Sequence, residues 1–172
     1  MAELTPQERL QPALLDRLTD DEPHKKLEPR ENRAITKHKM RQAVLRDLAW
    51  LFNTTKLGSD IDFAGFPYAE RSVINFGLPA LAGETATTLD VIGLESAIKQ
   101  AIIDFEPRII ASTLRVEALV SDLQMDHHNV VSVQIRGNLW AQPIPLELLL
   151  RTEVDLETGQ VENRDLAKSG AR

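Results

Sequence analysis

The segment Asp104-Phe105-Glu106-Pro107-Arg108-Ile109 marks a change of hydrophobic period, and that change constrains the fold more than any other feature of the chain. Before it, Leu94, Ile98, Ala101, Ile102 and Phe105 recur at spacings of three and four, which is one face of an amphipathic helix. After it, Leu114, Val116, Ala118 and Val120 alternate, which is one face of a strand. Pro107 separates the two, because its ring cannot continue a helix ladder and pushes Glu106 out of the helical region. Glu106 then stands at a helix C-terminus, where the macrodipole disfavours an anion. Arg108 is the local partner that offsets this. On residue types alone, the segment is a helix stop with a solvated ion pair of little energetic weight.

The other elements follow from the same rules. Thr5-Pro6-Gln7-Glu8 has the form of a capped helix start, and Leu10, Leu14, Leu15 and Leu18 form a narrow stripe ending near Thr19. The segment from Asp20 to Glu31 is polar, holds Pro23 and Pro29, and reads as a linker. A helix is expected from Ile35 to Asn53, with Met40, Val44, Leu48, Leu51 and Phe52 inward and Arg41, Arg46 and Asp47 in water. Thr54 to Thr87 is irregular, yet Phe63, Phe66, Tyr68, Val73, Ile74, Phe76, Leu78 and Leu81 give it enough apolar area to pack on the core. Gly77 and Pro79 there look like a helix stop. Thr87 or Thr88 is expected to cap the second long helix, with Gly93 as a kink or a sign of a later start.

Three strands are expected, at 110–120, 131–139 and 146–156. Gly137 implies a bulge or a close backbone approach. The third strand turns Leu146, Leu148, Leu150, Thr152 and Val154 inward, and Leu149 on its polar face signals a covering neighbour. The fold class is therefore α+β, N-terminal helices packed on a small three-stranded antiparallel sheet. The expected organisation is an amphipathic helix and charged linker over 1–31, one domain over 32–162, and a flexible tail over 163–172.

Several function classes are disfavoured. There is no cysteine, so no thiolate chemistry or Cys-based metal site. His127-His128 falls in an expected turn without metal-ligand spacing, and no Gly-rich phosphate loop is present, so no metal or cofactor is expected. The net charge is −6, although eight cations against two anions between Lys25 and Arg46 give that stretch +6 and leave −12 elsewhere. No aromatic residue interleaves with those cations, so nucleic-acid binding is not expected. No apolar run reaches membrane-spanning length and no secretory signal opens the sequence, so the expected location is cytoplasmic. A glycosidase would need two carboxylates spaced across a pocket. Nothing in the sequence pairs Glu70, Glu84 or Glu106 in that way, and Glu106 beside Arg108 is badly placed to be a general acid.

Phe105-Glu106-Pro107-Arg108-Ile109, lying between helix and strand, resembles the Glu-Pro-Arg motif of the contractile-tail baseplate family. That family includes the phage tail baseplate wedge protein and the type VI secretion baseplate subunit TssE. Other pieces agree in order: 15–23 with the N-terminal segment of TssE, 46–54 with its first core helix, and Ser72-Val73-Ile74-Asn75-Phe76-Gly77-Leu78-Pro79 with the following loop. The resemblance spans roughly 10–160. It implies a scaffold, not an enzyme, despite the family's lysozyme-like label. It implies that Glu106, Pro107 and Arg108 contact a helical bundle of TssF-like and TssG-like wedge subunits. It also implies that a TssC-like sheath subunit adds strands to the small sheet. The third strand, at Leu148, Leu149, Leu150, Arg151 and Thr152, is the expected place. The alternatives are a peptidoglycan hydrolase, a phage tail wedge protein, or an adaptor outside any contractile machine.

Overall fold

The computed structural model describes residues 12–19, 23–24, 35–81, 90–119, 130–141 and 145–166. Helix α1 spans Leu14–Leu18 and α2 spans Lys37–Phe52. Thr36 caps α2 by accepting from Lys39 N–H at 3.2 Å, and the expected inward face is the buried one. The short helix α3, Pro67–Glu70, lies in the excursion after α2, and α4 spans Val91–Phe105. The described cap of α4 is Asp90, whose carboxylate accepts from Gly93 N–H at 3.0 Å. A Cβ on Gly93 would lie 2.4 Å from that carboxylate, so Gly93 makes room for the cap and does not kink the helix. Thr87 and Thr88 lie outside the described residues, as do the expected helix start at Thr5 and the His127-His128 pair.

The sheet has four strands, in the order β1 (Arg115–Leu119), β2 (Val130–Leu139), β3 (Leu146–Asp155) and β4 (Val161–Asp165), all antiparallel. This corrects the expected three. The fourth strand falls partly in the expected tail, because Val161-Glu162-Asn163-Arg164-Asp165 has one apolar residue and no alternation to mark it. It pairs because the turn at Gly159 returns it beside β3. Leu149 is half-buried, and β4, which pairs with β3 from Leu150 to Val154, does not reach it.

One sheet face carries Val133, Ile135, Leu148, Leu150 and Val154, all at 0% exposure, against Val44, Leu48, Ile98 and Ile102 of α2 and α4. Each such side chain contributes about 1.5–3 kcal/mol of burial. Helix α4 lies nearest β1, and α2 lies nearest β4. Gly137 sits in register opposite Leu148 without a bulge. A Cβ there would meet Ile109 at 3.3 Å and Leu114 at 3.7 Å, so close approach explains the glycine. Gly77 has φ +128°, and its missing Cβ would fall 2.2 Å from the Thr54 carbonyl oxygen. That contact accompanies the paired bonds Lys56 N–H to Leu78 O and Leu78 N–H to Thr54 O, which close the base of the excursion.

The excursion is ordered by three short helical turns, at Leu57–Ser59, α3 and Val73–Asn75. Its expected packing on the core is only partly present. Leu78 is buried, and Phe76 and Leu81 pack at the core margin. Phe66, Tyr68, Val73 and Ile74 are exposed. Arg41 and Arg46 also depart from the expected solvated face, because each is held in ion pairs.

Candidate interaction site at the helix-to-sheet corner

The last turn of α4 delivers Glu106, whose N–H donates to Ile102 O at 2.8 Å as the helix ends. After Pro107 the chain reaches the sheet through a bridge at Ile109 and a 3-10 turn at Ala111–Thr113, so the strand expected from residue 110 begins only at Arg115. Trp140 N–H donates to Arg108 O at 2.7 Å, Ile110 N–H donates to Asn138 O at 2.9 Å, and Ile109 pairs with Leu139. The corner is thus fixed by helix on one side and by the end of β2 on the other.

Glu106 is 3% exposed, a depth at which a carboxylate must be paired. Arg108 supplies the pair: its Nε donates to Oε1 at 2.6 Å and its Nη2 to Oε2 at 2.5 Å, a two-point fork. Arg108 N–H adds a third bond to Oε1 at 3.2 Å. The same Nη2 donates to Asp47 Oδ2 on α2 at 2.5 Å. Burial alone would lower the Arg108 pKa, but the bonds and charges of Glu106 and Asp47 outweigh it, so the guanidinium lies above its ordinary value. The expected solvated ion pair is therefore a buried one.

The chain of charges continues. Arg46 Nε donates to Asp47 Oδ1 at 2.8 Å, and Arg46 Nη1 donates to Asp16 Oδ1 of α1 at 2.7 Å. Arg46 also lies over the Trp50 ring at 5.2 Å from its centroid. Beside this network lies an open groove of about 540 Å³, lined on its apolar side by Leu15, Leu48, Trp50, Leu51, Phe76 and Phe105. Pro107 is exposed at its margin. Arg108 lines the groove as well, and its Nη1 bonds to none of the described residues. The site therefore places a cation that its own carboxylates hold rigid next to apolar surface, with Nη1 uncommitted among the described residues.

Glu106, Pro107 and Arg108, the residues singled out in the sequence, all line the groove. The sequence did not single out Asp47, Arg46, Trp50 or Asp16 as their neighbours. No sequence signal singles out Asp47, because α2 carries several other charged residues, Lys37, Lys39, Arg41 and Arg46 among them. The second expected site is different. Leu148, Leu150 and Thr152 are buried, and Leu149 and Arg151 are half-buried. They belong to β3, which pairs with β2 throughout and with β4 from Leu150 onward. The expected free edge there is corrected: Leu150, Arg151 and Thr152 already have strand neighbours on both sides. Among the described residues no group of acidic and histidine side chains could hold a metal ion, and no helix is long and apolar enough to cross a membrane.

Residues 38–144 match the family model described as baseplate wedge protein gp25. No curated protein and no solved structure matches the chain.

Proposed function

We propose, from the premise that the chain belongs to the baseplate wedge protein gp25 family, that it is the wedge subunit of a type VI secretion baseplate that joins the wedge core to the sheath. It acts by binding, without catalysis and without a cofactor, at the cytoplasmic face of the inner membrane. The observation that carries this is the Arg108 guanidinium, clamped by Glu106 and Asp47 in a residue that lines an apolar groove, with Nη1 bonded to none of the described residues. With its fork spent on Glu106, the guanidinium keeps the two N–H groups of Nη1, which suit helix C-terminal carbonyls or a carboxylate on a helical bundle, the expected TssF-like and TssG-like partner. A lysine would carry the charge but could not hold Glu106 by a fork and offer a second nitrogen as well.

Strand addition by a TssC-like sheath subunit belongs at an outer edge, not at Leu148 to Thr152. The edge of β4 is covered at Val161. The Asn53 side chain donates to Val161 O at 2.9 Å and accepts from Val161 N–H at 2.9 Å, taking the place of a strand neighbour. Arg41 clamps Asp165 at the other end. The edge of β1 is more open. Ala118 N–H points outward to Glu95 Oε1 at 2.7 Å, so Val116, two residues back, presents its backbone groups the same way. None of the described residues bonds them.

Co-purification tests the central reading. Wild type should capture co-expressed TssF-like and TssG-like subunits, and Glu106→Ala/Arg108→Ala, shown to be folded by circular dichroism, should not. Equal capture by both would reduce the corner to a helix stop.

A further inference from the structure

Six large apolar side chains stand exposed within residues 57–76: Leu57, Ile61, Phe66, Tyr68, Val73 and Ile74, with Tyr68 at 92% and Val73 at 81%. Scattered exposed apolar residues are ordinary, but a concentration on one short unit marks a contact surface. The unit is rigid. Asn75, 7% exposed, donates from Nδ2 to Glu70 O at 2.8 Å and accepts at Oδ1 from Gly58 N–H at 2.7 Å. One side chain thereby ties the turn Leu57–Ser59, α3 and the turn Val73–Asn75 together. Ser72 adds bonds to Ala69 O and from Ile74 N–H. A surface ordered in this way loses little conformational freedom on binding.

Two contacts fix the unit to the corner. Phe76 meets Phe105 edge-on with centroids 5.2 Å apart, and Arg71 donates to Asp104 at 2.8 Å. Both partners lie in the last turn of α4, directly before Glu106, and Phe76 also lines the groove beside Arg108. The charge is one-sided. Asp60, Asp62 and Glu70 are exposed, and Arg71, the cation within 57–76, is paired with Asp104.

We propose that residues 57–76 are the second half of the wedge-core dock. The subunit that binds the Glu106–Arg108 corner lays an amphipathic helix across this unit, its apolar face on Phe66, Tyr68, Val73 and Ile74 and its flanking lysines or arginines opposite Asp60, Asp62 and Glu70. The acidic rim selects a basic helix and opposes an anionic lipid surface. This inference rests on the corner being the docking site.

The test compares wild type, Tyr68→Ser/Val73→Ser and Arg108→Lys for capture of co-expressed wedge-core subunits. Because Tyr68 and Val73 are exposed, the double variant keeps the wild-type melting curve, and its capture falls about tenfold or more. A photoreactive benzoyl-phenylalanine at position 68 of the otherwise wild-type chain should crosslink to the same subunit whose capture depends on Arg108. Undiminished capture by Tyr68→Ser/Val73→Ser with loss for Arg108→Lys, or a crosslink to a different subunit, overturns the inference and leaves the corner standing. No capture by wild type overturns both.

Discussion

Asp47 Oδ2 lies 2.5 Å from Arg108 Nη2, joining the middle of α2 to a corner 61 residues further along the chain. The contact makes Arg108 common to two carboxylates, Asp47 on α2 and Glu106 at the end of α4. It holds the guanidinium, and Nη1 with it, in one orientation before any partner arrives. Removing Asp47 should loosen that hold and leave the Arg108–Glu106 fork intact. Asp47→Ala is expected to cost about 1–3 kcal/mol, read from urea midpoints, and to weaken partner capture more than that loss of stability explains. Unaltered capture would make Asp47 a structural tether alone.

Arg108 cannot be removed cleanly. Arg108→Ala leaves the Glu106 carboxylate buried without its cation, which costs about 3–5 kcal/mol. A loss of assembly in that variant would therefore confound folding with docking. Arg108→Lys keeps a charge near Glu106 and should cost visibly less in the same urea titration. Equal destabilisation by alanine and lysine would mean that fork geometry, rather than charge, satisfies Glu106.

Asn53 should act as an edge guard. Asn53→Ala removes both bonds to Val161 and is expected to cost about 1–3 kcal/mol. It also uncovers the edge of β4, so the variant should elute earlier from a sizing column as concentration rises. A variant that is destabilised but strictly monomeric would confine Asn53 to a folding role.

Proline substitutions distinguish the strands. Thr152→Pro falls in β3, between β2 and β4, where Thr152 is fully buried and its Oγ1 donates to Asn163 Oδ1 at 2.8 Å. It should prevent folding and so says nothing about sheath recruitment. Val116→Pro removes an outward N–H at the edge of β1, should cost about 1–2 kcal/mol, and should block strand addition there. Normal sheath assembly on folded Val116→Pro would move the sheath contact away from β1.

The parts of the fold with strong periodicity were legible. The inward faces of α2 and α4 and the alternation of β2 and β3 were readable because burial on one side leaves a period in the sequence. Strand β4 was not, because its pairing depends on the Gly159 turn and on cross-strand partners such as Thr152–Asn163, with little apolar alternation of its own. Glu106, Pro107 and Arg108 were legible because they interrupt a pattern. Asp47 and Asp16 were not, because their roles arise only when α2 and α1 are brought to the corner. The excursion misled in an instructive way. Its apolar residues implied burial, yet Asn75 organises a surface that leaves Tyr68, Val73 and Ile74 outside.

The most direct measurement is the affinity of purified wedge-core subunits for wild type and for Arg108→Lys, by titration calorimetry, with matched melting curves as the control. The account predicts that the lysine variant, folded and still charged, binds at least about tenfold more weakly, since it lacks the Nη1 donors. Equal affinity would contradict it: the buried Glu106–Arg108 pair would then only close α4, and the wedge core would dock elsewhere.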